Sequence, residues 1–438
     1  MKRAIEQFLD RWKGDVRRLP LLVRGARQVG KSHTIAAFGR RAFANLVTVN
    51  FEQYPHFKRC FQTLNPREII QNIALLAKSD IRRDTLLFLD EIQACPEAIT
   101  ALRYFHEQLP EIPVIGAGSL LEFAIASEDF RTPVGRIQYL FMTPLSFGEF
   151  LDATGNGMAR TAIAEAAANG SVNPAVHDHL LTLVKKYFIV GGMPAVVAEY
   201  VATGDLRKCL QLQASIAQTF QDDFGKYASR AKHKHLQKIF LAAPKLVGRK
   251  FKYSHVDPLT QSRELKEALE LLESAGILYR VKRTSGAGIP LEAGANERHF
   301  KIVVLDIGLM QNLCGLPGDF VPSNDVSDLH AGAAAEQFVA QELLAHQDPF
   351  RAPRLYYWAR EARNSGAEVD YLTAFGPSPL PIEVKAGKSG ALRSMHLYLQ
   401  SHPGQMGVRI SQHPFDLRPP LLSVPFYAVE TLPAIMRA

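Results

Sequence analysis

"RGARQVGKSH", residues 24–33, decides how the first third of the chain is read. Gly25, four residues, then Gly30, Lys31 and Ser32 give the spacing of a loop that cradles phosphate groups. The glycines let backbone N–H groups converge on the β- and γ-phosphates. Lys31 adds a point charge, and the Ser32 hydroxyl is placed to ligate Mg²⁺. "LPLLVRG" (19–25) before the loop is an apolar strand, and "KSHTIAAFGRR" after it is a helix whose N-terminus adds partial positive charge. Gly25, Ala26, Arg27, Gln28, Val29, Gly30, Lys31, Ser32 and His33 are therefore the expected contacts of ATP.

A second stretch completes the chemistry. "TLLFLDEIQ" (85–93) is a fully apolar strand of the kind buried on both faces of a parallel sheet, and it ends in Asp90-Glu91. Ligands of open α/β sheets bind at the C-terminal ends of such strands. Asp90 is placed to hold Mg²⁺, directly or through water, and Glu91 to orient or deprotonate the attacking water. "EIPVIGAGSLLEF" (111–123) is another buried strand, tipped by Ser119, which can touch the γ-phosphate or that water. A loop containing Arg131 and Arg136 then leads into a strand starting near Ile137.

This order of phosphate loop, acidic strand, polar-tipped strand and arginine before the last strand resembles the AAA+ ATPases. The phrases "GARQVGKS", "LFLDEIQ", "GAGS", "GR" and "PLSFGEF" resemble, more closely, the prokaryotic AAA family ATPases with a C-terminal domain of unknown function 4143. The resemblance implies an α/β P-loop core with a parallel sheet, ATP hydrolysis, and an arginine that reaches a neighbouring subunit's γ-phosphate. Arg136 matches that arginine, with Arg131 as the alternative, and the implied assembly is a homo-oligomer, a hexameric ring.

Composition sets the wider limits. A length of 438 residues allows about two to four domains. No apolar run approaches the ~20 residues of a membrane helix, and "MKRAIEQFLDRWKGD" is too polar for a signal peptide. Cys60, Cys95, Cys209 and Cys314 are scattered, with neither a CxxC pair nor metal-ligand spacing, so zinc sites and disulfide frameworks have no support. The expected location is the cytoplasm, without a membrane partner. The net charge of +8 leans toward polyanions.

That charge clusters. Residues 156–228 read as a helical lid broken at Gly191-Gly192 and Pro194. "SRAKHKHLQKIFLAAPKLVGRKFKYSH" (229–255) then carries Arg230, Lys232, Lys234, Lys238, Lys245, Arg249, Lys250 and Lys252. The helix "SRELKEALELLESAG" follows, with Ser262 as its expected N-cap, and then the strands "ILYRVKR" and "HFKIVVLD". Helices followed by a hairpin describe a winged-helix module over 229–305, with DNA as its expected partner.

The remainder, 306–438, places Glu336 on a helix, Asp370 on the second strand of a hairpin, and Glu383 with Lys385 on one face of a third strand. A helix and a last strand, "GVRISQ", complete it. Glu, Asp and Glu-x-Lys in this order resemble the PD-(D/E)xK nuclease superfamily. The resemblance implies a second Mg²⁺ or Mn²⁺ held by Asp370 and Glu383, with Glu336 and Lys385 beside it. The expected domains are thus 1–155, 156–228, 229–305 and 306–438: an ATPase core, a lid, a winged helix and a nuclease-like domain.

Overall fold

The apolar run before the phosphate loop becomes a strand at Leu21–Arg24 (β1); three of the four strands beside it stand where the sequence placed strands, and the one at Asn45–Asn50 was not expected. In the computed structural model these are Asn45–Asn50 (β2), Thr85–Asp90 (β3), Val114–Ala117 (β4) and Gln138–Phe141 (β5). The structure describes residues 1–119, 121, 135–227, 230–315, 331–360, 366–387 and 392–437. Among them the strands pair in parallel in the order β2-β3-β4-β1-β5. Every residue of β3 is buried, as a strand covered on both faces must be. Helices Glu6–Gly14 (α1), Lys31–Ala42 (α2), Pro66–Ala77 (α3) and Pro96–Gln108 (α4) belong to the same unit. Its core joins Leu22, Val49, Leu87, Leu89, Ile99 and Leu102. Each such side chain contributes about 1.5–3 kcal/mol on burial.

Register positions the site. Asp90 is level with Ala117, and Ala117 with Val23. All three strands run the same way, so Asp90-Glu91, Ser119 and the loop beginning at Gly25 leave the sheet along one edge.

Contacts group Met1–Thr143 with Asp348–Pro353 as this first unit, and Pro144–Gln347 with Arg354–Ala438 as a second. The second contains helices Phe147–Ala153 (α5), Gly157–Asn169 (α6), Pro174–Val190 (α7), Pro194–Thr203 (α8), Leu206–Tyr227 (α9), Arg230–Leu246 (α10), Ser262–Ser274 (α11), Ile307–Leu313 (α12), Ala331–Ala345 (α13) and Arg393–Ser401 (α14). Its strands are Leu278–Thr284 (β6), Ala295–Val304 (β7), Leu355–Ala359 (β8), Glu368–Phe375 (β9), Ser378–Lys385 (β10), Gly407–Ser411 (β11) and Leu421–Pro425 (β12). They form a mixed sheet ordered β12-β11-β10-β9-β8-β6-β7.

Three details differ from expectation. The strand at 407–411 is not the last, because β12 pairs beside it in parallel. Ser262 is the first residue of α11 rather than its cap, since extended Gln261 takes the cap position. The helices and hairpin read as a winged helix are present, but β6 also pairs with β8 in parallel. The hairpin is therefore an end of the mixed sheet, and the divisions drawn at 228 and 305 fall inside one unit. Among the described residues no helix is long and apolar enough to cross a membrane.

Candidate active site

The phosphate loop owes its path to three unusual backbone positions. Gly25 has φ 144°, and a Cβ there would stand 2.2 Å from the Met142 carbonyl oxygen. Gln28 (φ 65°) and Gly30 (φ 93°) turn the chain into α2. That helix has no side-chain cap and no acidic residue in its first turn, which leaves its N-terminal N–H groups to an anion. Ala26 and Val29 are buried and shape the loop from behind, whereas His33 is exposed on α2.

Lys31 is buried and donates to the carbonyls of Gly25 and Ala26, both at 2.8 Å. Burial pulls its proton affinity down to about 8, against the attraction of Glu91 and Asp90. Ser32 Oγ donates to Asp90 Oδ1 at 2.8 Å, so the two residues expected to hold Mg²⁺ already meet. Asn50 Nδ2 donates to the other Asp90 oxygen at 3.1 Å. Burial raises the proton affinity of Asp90, and the Ser32 hydrogen bond opposes it. Hard oxygen donors at this spot fit Mg²⁺.

Glu91 takes a left-handed backbone conformation (φ 48°, ψ 46°), a strain of about 1–3 kcal/mol for a residue with a side chain. Gln93 Nε2 donates to Glu91 Oε2 at 2.7 Å. The amide oxygen of Gln93 is buried without a hydrogen bond among the described residues, and a Cβ on Gly118 would lie 2.1 Å from it. Gly118 therefore leaves room for the amide that restrains Glu91. Ser119 is buried immediately after it. Neither Asn50 nor Gln93 stood out in the sequence. Their signal was position alone, at the end of β2 and two residues past Glu91. Arg136 is 46 % exposed, and its Nε donates to Glu107 Oε1 at 3.0 Å; Arg103 donates to the same oxygen. Arg131 lies outside the described residues.

The second unit gathers the residues expected to form a nuclease-like site. Tyr371 pairs with Ile382, and continuing that register by one places Asp370 opposite Glu383. Asp370 Oδ2 accepts from the Val384 N–H at 2.8 Å, and Lys385 Nζ donates to Glu383 Oε1 at 2.7 Å, as residues two apart on one strand face can. Glu383 Oε2 is buried without a partner among the described residues. An unexpected residue completes the cluster. Lys301 of β7, with its side chain 2 % exposed, places its ammonium 2.5 Å from Glu368, 3.3 Å from Glu336 and 3.5 Å from Asp370. Burial opposes its charge, yet Glu336, Asp370 and Glu368 together hold its proton affinity well above the ordinary lysine value. Burial, and then Asp370, raise Glu336 and Glu383. Among the described residues no group of three carboxyl, imidazole or thiol side chains is placed to hold a metal ion; Glu336, Glu368 and Asp370 are arranged around the Lys301 ammonium instead. The second divalent ion expected at Asp370 and Glu383, with Glu336 and Lys385, thus does not fit this arrangement, because a lysine ammonium is already there. The sequence carried one sign of it, a lysine inside the apolar run "HFKIVVL".

The basic stretch is partly neutralised. Lys232 pairs with Glu267 at 3.0 Å, Lys238 with Asp257, and Lys250 with Glu368 at 3.7 Å. Lys234, Lys245, Arg249 and Lys252 are exposed with no ion partner among the described residues.

Comparison with known proteins agrees with the site. Residues 17–151 match the AAA domain family, residues 331–424 a domain of unknown function (DUF4143), and residues 181–319 a further domain of unknown function (DUF8612). The first unit is a P-loop ATPase of the AAA type. The chain joins this ATP-hydrolysing domain to a C-terminal DUF4143 domain. Among solved structures, the Walker-type ATPase PABY2304 of Pyrococcus abyssi is 15 % identical, with 70 % of this chain and 94 % of that chain covered at a TM-score of 0.45. The Aeropyrum pernix ORC1 protein, solved in complex with DNA, is 14 % identical (72 % and 92 % covered, TM-score 0.32). The Thermotoga maritima RuvB Holliday junction branch migration motor is 18 % identical (64 % and 85 % covered, TM-score 0.24). No curated protein matches the chain.

Proposed function

We propose that this chain is a Mg²⁺-dependent ATP hydrolase that binds and remodels DNA, duplex or branched, as a homo-oligomeric ring. With ATP seated, Lys31 would leave the carbonyls of Gly25 and Ala26 for the phosphates. Ser32 and Asp90 would hold Mg²⁺, which neutralises charge on the phosphate oxygens. Glu91, released from Gln93, orients or deprotonates the attacking water, and Ser119 contacts that water or the γ-phosphate. Among the described residues Arg136 is held by an exposed ion pair with Glu107, worth about 0–1 kcal/mol. It can leave Glu107 for a neighbouring subunit's nucleotide, which supports the ring.

The charge left unpaired on α10 and the turn after it carries the DNA reading. Lys245, Arg249 and Lys252 lie within eight residues of one another and, with Lys234, face water without ion partners among the described residues. Such cations suit a phosphate backbone, and each contact made removes about 0.9 from the log–log salt slope on duplex DNA when it is lost. Neutralising all four should weaken DNA binding and flatten that slope, and forked or duplex DNA should raise the ATPase rate. An unchanged slope together with an indifferent ATPase would overturn the proposal. A second reading, an ATP-set switch that binds a protein partner, draws on the ion pairs of Lys232 and Lys238, which remove two expected phosphate contacts. It predicts that indifference to DNA.

A further inference from the structure

We propose that Lys301 is the resident cation of the acid cluster in the second unit. Its ammonium stands beside Glu336 and Asp370, two of the residues expected to surround a divalent ion, so the cluster neither needs nor takes a metal.

The placement is built rather than incidental. Lys301 lies in the buried run Phe300–Val304 of β7, and its ammonium ends among carboxyl groups contributed by α13 (Glu336) and β9 (Glu368 and Asp370). It also lies 5.5 Å from the centre of the Tyr357 ring, whose face favours a cation. Of the oxygens a metal would need, Glu336 Oε2, Asp370 Oδ1, Asp370 Oδ2 and Glu383 Oε1 each face a donor already. Among the described residues, Glu383 Oε2 does not. A divalent ion seated beside it would lie near two lysine ammoniums, in surroundings where charges repel strongly.

The turn after α10 closes over the same cluster. Gly248 has φ 78°, and a Cβ there would stand 3.0 Å from Glu336 Oε1. Lys250 brings another ammonium to 3.7 Å from Glu368. Lys301 thereby ties β7 to β9 and α13. Removing it alone would leave buried carboxyl groups uncompensated, which destabilises a fold far more than removing both partners of a pair.

The test is Mn²⁺ uptake by the nucleotide-free full chain carrying Ser32→Ala, which weakens the ATP site's own hold on metal. Uptake is read by electron paramagnetic resonance of the ion and by melting temperature. With Lys301 present, about 1 mM Mn²⁺ should give no bound signal at the cluster and move the melting temperature by less than about 1 °C. Lys301→Met combined with Glu368→Gln removes both members of the shortest pair. That variant should bind Mn²⁺ and gain several degrees, and adding Asp370→Asn should abolish the gain. Uptake by the Lys301 chain that Asp370→Asn eliminates would overturn the proposal. So would a double variant that folds, by circular dichroism, yet stays silent. If the double variant does not fold, the Lys301 chain decides alone: no uptake supports the proposal, and Asp370-dependent uptake overturns it.

Discussion

Lys31 is buried in the fold, and this has a measurable consequence. Its proton affinity falls from 10.5 to about 8 on folding. Between those values the unfolded chain holds the extra proton, so this group's contribution to stability rises with pH across that window. Below it, the buried charge costs the nucleotide-free fold up to about 3 kcal/mol, before the two carbonyl hydrogen bonds are counted. Lys31→Met should therefore lose ATP binding while raising the melting temperature of the nucleotide-free protein by a few degrees near pH 7. Its advantage over the native chain should narrow toward about pH 10. A lower melting temperature near pH 7 would refute this account of the loop. Glu91→Gln is expected to behave differently, keeping nucleotide affinity and losing turnover by about 10²-fold or more, because general-base assistance is of that size. Hydrolysis by that variant at the native rate would assign the water to another group.

The connection between α7 and α8 shows what an element boundary can hide. The sequence marked it by Gly191-Gly192 and Pro194 and gave those residues no task. In the fold, Gly191 has φ 71° and ψ −169°, a region open almost only to glycine. A Cβ there would stand 2.2 Å from Asp306 Oδ1. Asp306 is fully buried; it caps α12 by accepting from the Leu309 N–H at 3.0 Å, and accepts from the Gly192 N–H at 2.6 Å and Gln341 Nε2 at 3.2 Å. Gly191→Ala should destabilise the protein by about 2–4 kcal/mol, combining backbone strain with a displaced buried carboxylate. An unchanged melting curve would show that the turn can relax. The contrast explains what was legible. The phosphate loop, β3 and the helix break at Gly191-Gly192 rest on neighbours within a few residues, so pattern and turn chemistry disclosed them. Lys301 meets Glu336 and Asp370, 35 and 69 residues away, and Lys232 meets Glu267. Pairings at that range depend on which strands and helices come together, as β6 does with β8, and local periodicity carries no record of it.

At the scale of the whole molecule, the ring is tested by mixing subunits. Arg136→Ala and Glu91→Gln proteins, each impaired alone, should recover part of the ATPase activity together, because some interfaces would pair an intact arginine with an intact glutamate. Mixed assemblies confirmed by mass, with no recovery at any ratio, would exclude Arg136 as a contact in trans. The first unit carries a different kind of consequence. Its strand β5 donates from the Phe141 N–H to the Pro349 carbonyl at 2.7 Å, and Phe350 packs edge-on against Phe8 at 5.7 Å. Residues 348–353 thus finish a unit whose other parts end at Thr143. On the ribosome, the ATPase core cannot close its last edge until some two hundred further residues have been translated. A nascent chain stalled before Asp348 would then present an unfinished edge, open to chaperones and proteases, although every residue proposed to contact nucleotide had long since emerged.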